Sequence, residues 1–247
     1  MLYSPAANLG FAHYPKTAGH SLVEWFRGAF PDARFVVPDA KYPISHMSVR
    51  ESLERLGHIP RRSRTLIRAH RNLTAIFPTL QTSTVRKSRC EMRIFGVLRE
   101  PFEMLDSLYK YWRSYTFDVE PDSLLIRSAR TGSFRDFLAV AVGERMLPRY
   151  EDFFDVGGPA WPTTRLLDFS NLALGLAAVC REFDVAPPPE SLSRRNVGPP
   201  ARRDAGGPLL DAGPMAFAVR SHFDWYYRHG VRMMIRGDHD TRRRRCA

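Results

Sequence analysis

Apolar residues along the chain follow two patterns that predict two kinds of element. Runs of consecutive apolar residues at 9–14, 65–69, 93–98 and 165–168 predict buried strands. In the segments between them, apolar residues recur every three or four positions, which is typical of amphipathic helices. This alternation of strands and helices predicts an α/β fold, with a central parallel sheet flanked by helices.

Local residues mark where several of these helices begin. Ser48 with Glu51, and Ser133 with Asp136, have the spacing of capping boxes. Pro101 suits the first turn of a helix, where a missing amide costs nothing. We predict helices at residues 21–29, 48–56, 101–115, 133–146, 170–183 and 215–229, and a further short strand at 35–37.

The composition favours one folded domain over residues 1–247. With 44% hydrophobic residues, the chain has enough apolar material for a core. Residues 187–214 are rich in Pro, Gly and Arg and predict a long loop, and residues 242–247 form a basic tail. The start of the chain lacks a secretory pattern, and no apolar run approaches the roughly 18–20 residues of a spanning helix. Three scattered cysteines indicate free thiols. We therefore expect a cytoplasmic protein without a membrane anchor.

The charge balance predicts an anionic partner. The chain has 37 Lys and Arg against 26 Asp and Glu, a formal net charge of +11. That charge alone suits nucleic acid, an anionic membrane surface, a phosphorylated cofactor or a sulfated polymer. The basic residues are dispersed and form no recognisable nucleic-acid-binding module, so nucleic acid is not the expected partner.

The segment that joins the first predicted strand to the first predicted helix contains the residue types expected of an anion-binding site. Lys16 supplies a full charge, Thr17 and Ser21 supply hydroxyls, and Gly19 lets the backbone approach a ligand closely. The start of the helix adds backbone amides and partial positive charge. The alternative is an ordinary turn with a solvated lysine. It is not a standard nucleotide-triphosphate loop, because that motif places the lysine after its second glycine.

A second segment places basic and hydroxyl groups at the end of the clearest strand. Arg99 follows the strand at 93–98, at the edge where open α/β sheets collect ligands. Ser107 lies about two turns into the next helix, so both side chains can share one phosphate. The alternative is a surface ion pair between Arg99 and a glutamate, with Ser107 bonded to its own backbone.

Together these segments resemble the sulfotransferases that use 3′-phosphoadenosine 5′-phosphosulfate (PAPS). The likeness is closest to the carbohydrate branch, which includes the heparan 2-O and chondroitin-type enzymes. Tyr14-Pro-Lys-Thr-Ala-Gly-His-Ser21 is similar to the family's 5′-phosphosulfate loop, and Val97-Leu-Arg-Glu-Pro-Phe102, continuing to Ser107, is similar to its 3′-phosphate motif. Residues 196–199 and 223–227 resemble a late loop and helix of many members. The resemblance implies a P-loop-like strand–loop–helix at the site.

The resemblance also implies a role for each matching residue. Lys16 would contact the 5′-phosphate and the bridging oxygen, and would counter charge on the departing phosphate. Arg99 and Ser107 would bind the 3′-phosphate. His20 stands where the family commonly has Ser or Thr, so it keeps the amide but changes the side chain. The phosphosulfate would be held by Thr17, Ala18, Gly19, His20 and Ser21, and the late loop would bring Arg194 and Arg195 to the nucleotide.

Sulfuryl transfer to a hydroxyl also needs a group that accepts its proton, commonly His or Glu. His70 follows the predicted strand at 65–69, at the edge where Lys16 and Arg99 emerge, and is our first candidate. His46, His20 and Glu24 are the alternatives. Positioning and charge stabilisation dominate such in-line transfers, so no metal is expected.

The resemblance thus implies transfer of a sulfuryl group from PAPS, leaving the product PAP, to a hydroxyl on a glycan or glycosylated small molecule. One alternative is a nucleotide-dependent kinase on the same fold, and another is a non-catalytic binder of nucleic acid or another polyanion. Acceptor identity and oligomeric state stay open. Possible contributors to a sugar site, otherwise core residues, are Tyr109, Tyr111, Trp112 and Tyr115, and the tail 242–245 is a candidate polyanion contact.

Overall fold

Five strands form a single sheet in a computed structural model that describes residues 1–36, 46–59, 92–114, 123–155, 164–185 and 213–230. They are β1 (Leu2–Ser4), β2 (Leu9–Ala12), β3 (Arg34–Phe35), β4 (Arg93–Leu98) and β5 (Thr164–Asp168). Their order across the sheet is β3-β1-β2-β4-β5. An α/β fold is therefore confirmed for the described residues.

The sheet is mixed, so the prediction of a parallel sheet is correct for only part of it. β2, β4 and β5 are parallel, whereas β1 is antiparallel to both of its neighbours, β2 and β3. The connection between β1 and β2 is short, residues 5–8, and only an antiparallel pair can be joined so tightly. The parallel part still brings three strand ends to one edge.

Helices cover both faces of the sheet. They are α1 (Gly19–Ala29), α2 (Val49–Arg55), α3 (Pro101–Ser114), α4 (Leu124–Thr131), α5 (Phe134–Leu138), α6 (Tyr150–Phe154), α7 (Leu172–Phe183) and α8 (Pro214–His222). Short turns of other helix types occupy Ala139–Gly143 and Tyr226–Gly230 (both π) and Phe169–Asn171 (3-10).

Alternation along β4 divides the core into two parts. Ile94 and Leu98 lie in a cluster with α2, α3, α4, α5, α6 and α8, whereas Phe95 and Val97 lie in a cluster with α1 and α7. Since both faces are covered, β4 is apolar at nearly every position, as is usual for parallel strands inside a sheet. The continuous apolar run at 93–98 thus has a physical reason.

Both predicted capping boxes, at Ser48 and Ser133, are confirmed. The helix predicted from Ser170 instead begins at Leu172, because Asp168 accepts a hydrogen bond from the Ser170 amide and caps a 3-10 turn. The α-helices predicted at 133–146 and 215–229 end early, at Leu138 and His222. Each is followed by a short π-helical segment. The strand predicted at 35–37 pairs at Arg34–Phe35.

Some predictions lie outside the described residues. These are the strand at 65–69, nearly all of the loop 187–214, the tail 242–247, and two of the three cysteines. The third, Cys180, is a buried free thiol. In the part of the chain that the structure describes, no helix has the length and apolarity needed to cross a bilayer.

Candidate anion-binding site

The carboxyl ends of β2, β4 and β5 meet at one edge of the sheet, and the predicted site residues follow two of them. Residues 14–18, here called the anion loop, follow β2 and His13 and lead into α1. Arg99 follows β4, and Phe169 follows β5. Because the three strands are parallel and adjacent, these segments lie side by side, as ligand-binding segments do in open α/β sheets.

The anion loop has an unusual backbone. Lys16 and Ala18 both lie in the left-handed region, with φ of 61° and 62°. Side chains other than glycine rarely adopt this conformation, and each instance costs on the order of 1–3 kcal/mol. Thr17, between them, is fully buried, and its hydroxyl donates to the Tyr14 carbonyl at 2.9 Å. Such turns direct successive amides to one side, where they favour an anion.

The loop delivers the chain into the start of α1 without a side-chain cap. Ala18 is the N-cap residue and offers no side chain to the first amides. The first bond of the helix runs from the Leu22 amide to the Ala18 carbonyl, at 3.1 Å. No acidic residue lies in the first turn, so the partial positive charge of the helix start has no local carboxylate.

Four residues at intervals of four form a line along α3 and its start, here called the α3 line. They are Arg99, which lies two residues before the helix, and Glu103, Ser107 and Tyr111, which share one face of α3 because a helix turns once in 3.6 residues. Arg99 and Glu103 are paired, with 3.5 Å between Nε and Oε2. Ser107 is half-buried one turn before Tyr111. The predicted phosphate ligands Arg99 and Ser107 thus lie on one surface.

Lys16 extends along the α3 line. Its carbonyl accepts a hydrogen bond from Arg99 Nη1 at 3.3 Å, and its Nζ lies 4.3 Å from the centre of the Tyr111 ring. Burial, together with the positive charge of Arg99, lowers the pKa of Lys16. Among the described residues Lys16 forms no ion pair with a carboxylate. Two cations therefore stand together, and within the described residues only Arg99 of the two pairs with a carboxylate, that of Glu103.

Arg99 has binding capacity left over. Its guanidinium lies over the Phe169 ring, 4.4 Å from the ring centre. Nε is buried and lacks a hydrogen bond, since Glu103 is within ion-pair range but outside hydrogen-bond geometry. A guanidinium has five N–H donors, and the contact with Lys16 uses one nitrogen. The Arg99 carbonyl accepts from the Tyr150 hydroxyl at 2.8 Å, which fixes the backbone.

Of the four candidate proton acceptors, the structure describes three. His46 Nδ1 lies 3.2 Å from the His13 carbonyl, and since a carbonyl can only accept, Nδ1 carries the proton and Nε2 keeps its lone pair. His20 and Glu24 are exposed on the first turns of α1. His70 lies outside the described residues, as do Arg194 and Arg195, so their positions relative to the site stay predictions.

The carboxylate of Asp168, the last residue of β5, is hydrogen-bonded to its own neighbours. Its oxygens accept from the Ser170 amide and hydroxyl and from the Asn171 side chain, at 2.6–3.0 Å. Within the described ranges, no group of three or more His, Cys, Asp or Glu side chains is placed to hold a metal ion.

The late segment that resembles the family's C-terminal helix contacts Glu100, the residue after Arg99. The hydroxyl of Tyr227 donates to Glu100 Oε1 at 2.8 Å, and burial together with this bond raises the pKa of Tyr227. Tyr227 also borders an open groove of about 880 Å³, lined in addition by Arg149, Phe217, Arg220, Ser221 and Asp224. Phe217 is 76% exposed, so the groove offers an aromatic face beside arginines.

Two aromatic contacts of the site were not predicted. The sequence alone does not distinguish Tyr111 from Tyr109 and Trp112, since all of them suit either core packing or a sugar site. The structure separates them, because Tyr109 packs on Phe134 and Phe137 whereas Tyr111 contacts Lys16. The only sequence feature that points to the contact between Phe169 and Arg99 is that Phe169 directly follows a predicted strand.

Comparisons with protein-family models, curated proteins and solved structures found no match. The geometry of the site therefore stands on its own. It combines two adjacent cations, a helix start without a carboxylate, and a hydroxyl on the same surface. Such a set of groups is chemically suited to an anion with more than one phosphate or sulfate group.

Proposed function

We propose that the protein is a sulfotransferase that moves the sulfuryl group of PAPS to a hydroxyl of a glycan or glycosylated small molecule. One observation carries the proposal: Arg99 Nη1 donates to the Lys16 carbonyl at 3.3 Å. The two segments that resemble the family's phosphate motifs are 83 residues apart in sequence, yet they meet at the sheet edge. The family's mode of binding needs this juxtaposition.

The donor groups of the site fit a nucleotide with phosphates at both ends. Arg99 has a buried Nε without a hydrogen bond, and Lys16 lies beside another cation, so each gains from an anion. Arg99 and Ser107 would hold the 3′-phosphate, while Lys16 and the amides at the start of α1 would hold the 5′ end. PAPS, when bound, supplies the activated sulfuryl group.

During transfer, negative charge moves onto the oxygen that bridges to the departing sulfuryl group. Lys16 and the start of α1 would stabilise that charge, an effect commonly worth several kcal/mol in sites that exclude water. The contacts that keep Lys16 and Ala18 left-handed also hold the loop in place beforehand. A preformed loop need not reorganise as the charge develops.

A proton acceptor is needed for the attacking hydroxyl. His70 keeps its place as the sequence-based candidate. His46 gains support from its hydrogen bond, because an imidazole that donates through Nδ1 presents the lone pair of Nε2. His20 and Glu24 are the other two candidates, and parallel kinetics of the four alanine variants distinguish among them.

The groove beside Tyr227 is our candidate for part of the acceptor site. Aromatic faces such as that of Phe217 suit the apolar face of a sugar ring, and Arg149 and Arg220 suit its acidic substituents. An acceptor screen should therefore favour acidic glycans over neutral ones. Equal rates with both classes would remove the groove from the acceptor site.

Titration calorimetry with PAP tests the proposal directly. We expect PAP to bind without metal and AMP to bind at least about tenfold more weakly, because AMP lacks the 3′-phosphate. In Arg99→Ala, PAP affinity should fall by about tenfold or more while AMP affinity changes little. Lys110→Ala is the matched control, because that lysine on α3 pairs with Asp106 instead of contacting Lys16 or Arg99.

Other outcomes favour the alternative functions. Magnesium-dependent turnover of ATP, without PAP binding, would point to a kinase. Polyanion binding that falls steeply with salt and is unchanged in Lys16→Ala would point to a non-catalytic binder. If folded protein fails to bind PAP, the sulfotransferase proposal is wrong.

A further inference from the structure

His13, which the proposed chemistry does not use, lies directly beneath the anion loop. It follows β2 and is only 5% exposed. Its ring stacks on Phe11, with centroids 5.9 Å apart, and is tilted against His46 at 4.6 Å. Nδ1 is buried without a hydrogen-bond partner. A buried nitrogen without a hydrogen bond costs about 1–3 kcal/mol of folding free energy, so the burial of this imidazole calls for a structural explanation.

The face of the ring packs against the backbone of Gly19, the first residue of α1. A β-carbon built on Gly19 would lie 1.6 Å from His13 Nε2, and 2.2 Å from both Cδ2 and Cε1. These three distances place that β-carbon over the face of the ring, above Nε2. Nε2 therefore occupies the space that any side chain at position 19 would need.

This contact gives Gly19 a different role from the one the sequence suggested. Gly19 has no left-handed φ, since the left-handed residues of the loop are Lys16 and Ala18. Nor is a ligand needed to explain the missing side chain. Glycine is required because the helix start sits on the imidazole of His13. The same close packing fixes the height of the first turn of α1 above the sheet.

His13 is itself held on the other side. Its carbonyl accepts the hydrogen bond from His46 Nδ1 at 3.2 Å, and Phe11 supports the ring. Burial, followed by the nearby charges of His46, His20 and Lys16 among others, lowers the pKa of His13 well below its usual value. The ring is therefore neutral near pH 7, and it supports the loop without adding a buried charge.

We propose that His13 is a positioning residue, which sets the anion loop and the first amides of α1 for the 5′-phosphate end of the nucleotide. The proposal rests on the proposed function for the identity of the ligand. The packing of His13 against Gly19 does not depend on that identity. The packing of His13 against Gly19 and its effect on ligand binding can therefore be tested separately.

The affinity that the 5′-phosphate adds is measured by titrating the full chain with PAP and with adenosine 3′-phosphate. The ratio of the two dissociation constants reports the loop, because only PAP carries the second phosphate. His13→Ala and Gly19→Ala should each lower this ratio by about tenfold or more, with adenosine 3′-phosphate affinity held within about twofold. A residue that merely stabilised the fold would weaken both ligands alike.

Coupling between the two positions is the decisive readout. In the double variant, the Gly19→Ala methyl enters space that His13→Ala has vacated, so the clash is relieved and the ratio should fall no further than in His13→Ala alone. Gly28→Ala, in the same helix and with nothing within 4 Å of its new methyl, should leave the ratio unchanged. Additive losses in the double variant, or an unaltered ratio in Gly19→Ala, would overturn the proposal.

Urea unfolding of the same variants separates this proposal from the proposed function. If wild-type protein binds neither nucleotide, the sulfotransferase proposal and the anion-binding part of the His13 proposal both fail. A double variant less destabilised than the sum of its single variants would still uphold the packing of His13 beneath Gly19. Additive destabilisation would overturn that part as well.

Discussion

Two substitutions of Lys16 distinguish the role of its side chain in binding from the free-energy cost of its left-handed backbone. The residue has φ of 61°, and its ammonium lies over the Tyr111 ring. Lys16→Gly and Lys16→Ala both remove the charge and a cation–π contact of about 0.5–1 kcal/mol. Both should abolish sulfuryl transfer, because neither can stabilise charge on the departing phosphate.

The two variants should differ in stability. Alanine keeps a β-carbon in the left-handed conformation, at a cost of roughly 1–2 kcal/mol that glycine avoids. Glycine in turn loses about 0.5–1 kcal/mol more in backbone entropy on folding. The loss of the side chain is common to both variants and cancels. Lys16→Gly should therefore be more stable than Lys16→Ala by about 0.5–1 kcal/mol.

Urea unfolding measures this difference, and Arg27 supplies a control with the opposite sign. Arg27 is an exposed residue within α1, where alanine should be more stable than glycine by about 1 kcal/mol. If the order at position 16 matches that at position 27, Lys16 is not left-handed. If either Lys16 variant keeps PAP affinity and transfer, Lys16 is not part of the site.

Two further predictions test the fold. Asp32 accepts from the Ala6 amide at 2.7 Å, which lowers its pKa below 3.8. Asp32→Asn should therefore lose stability at pH 7, and the difference should vanish in urea titrations as pH falls through the folded pKa. Gly96→Ala would place a methyl 2.3 Å from Phe154, so calorimetry should show a loss of about 1–3 kcal/mol, whereas Gly28→Ala, in open space, should show none.

The sequence predicts those strands and helices that are determined by the pattern of neighbouring residues. β2, β4 and β5 follow from apolar runs, and α2 and α5 from capping boxes that form as expected. β1 was not predicted, because three residues carry too little pattern and the strand depends on pairing with two distant partners. α6 was also missed, because its buried residues Tyr150, Phe153 and Phe154 have helical spacing over only one turn, which is too short a pattern to indicate a helix.

The candidate site was predictable where sheet topology decides it. Lys16 and Arg99 each follow a parallel strand, so their meeting at one edge could be expected before any contact was known. The aromatic partners of the two cations could not, because Tyr111 and Phe169 depend on how α3 and the end of β5 sit over the loop. Side-chain packing of that kind leaves no periodic pattern.

The anion loop shows why its backbone could not be predicted from residue types. Left-handed positions are usually assigned to glycine, yet here Lys16 and Ala18 are left-handed and Gly19 is not. Strained residues persist only where surrounding contacts over-determine them. The contacts are present on several sides: Arg99 donates to the Lys16 carbonyl, the buried Thr17 hydroxyl donates within the loop, and His13 lies beneath Gly19.

Such a loop has a consequence for binding as well as for folding. A flexible loop must be ordered when the ligand arrives, at about 0.5–1.5 kcal/mol for each side chain immobilised. Here the strain of Lys16 and Ala18 is accommodated during folding, so under the proposed function the loop has its binding shape before the anion arrives. Any variant that releases the strain while retaining the lysine should thus gain stability and lose affinity. Ala18→Gly is that variant, because it relieves the left-handed alanine and leaves Lys16, Arg99 and His13 in place.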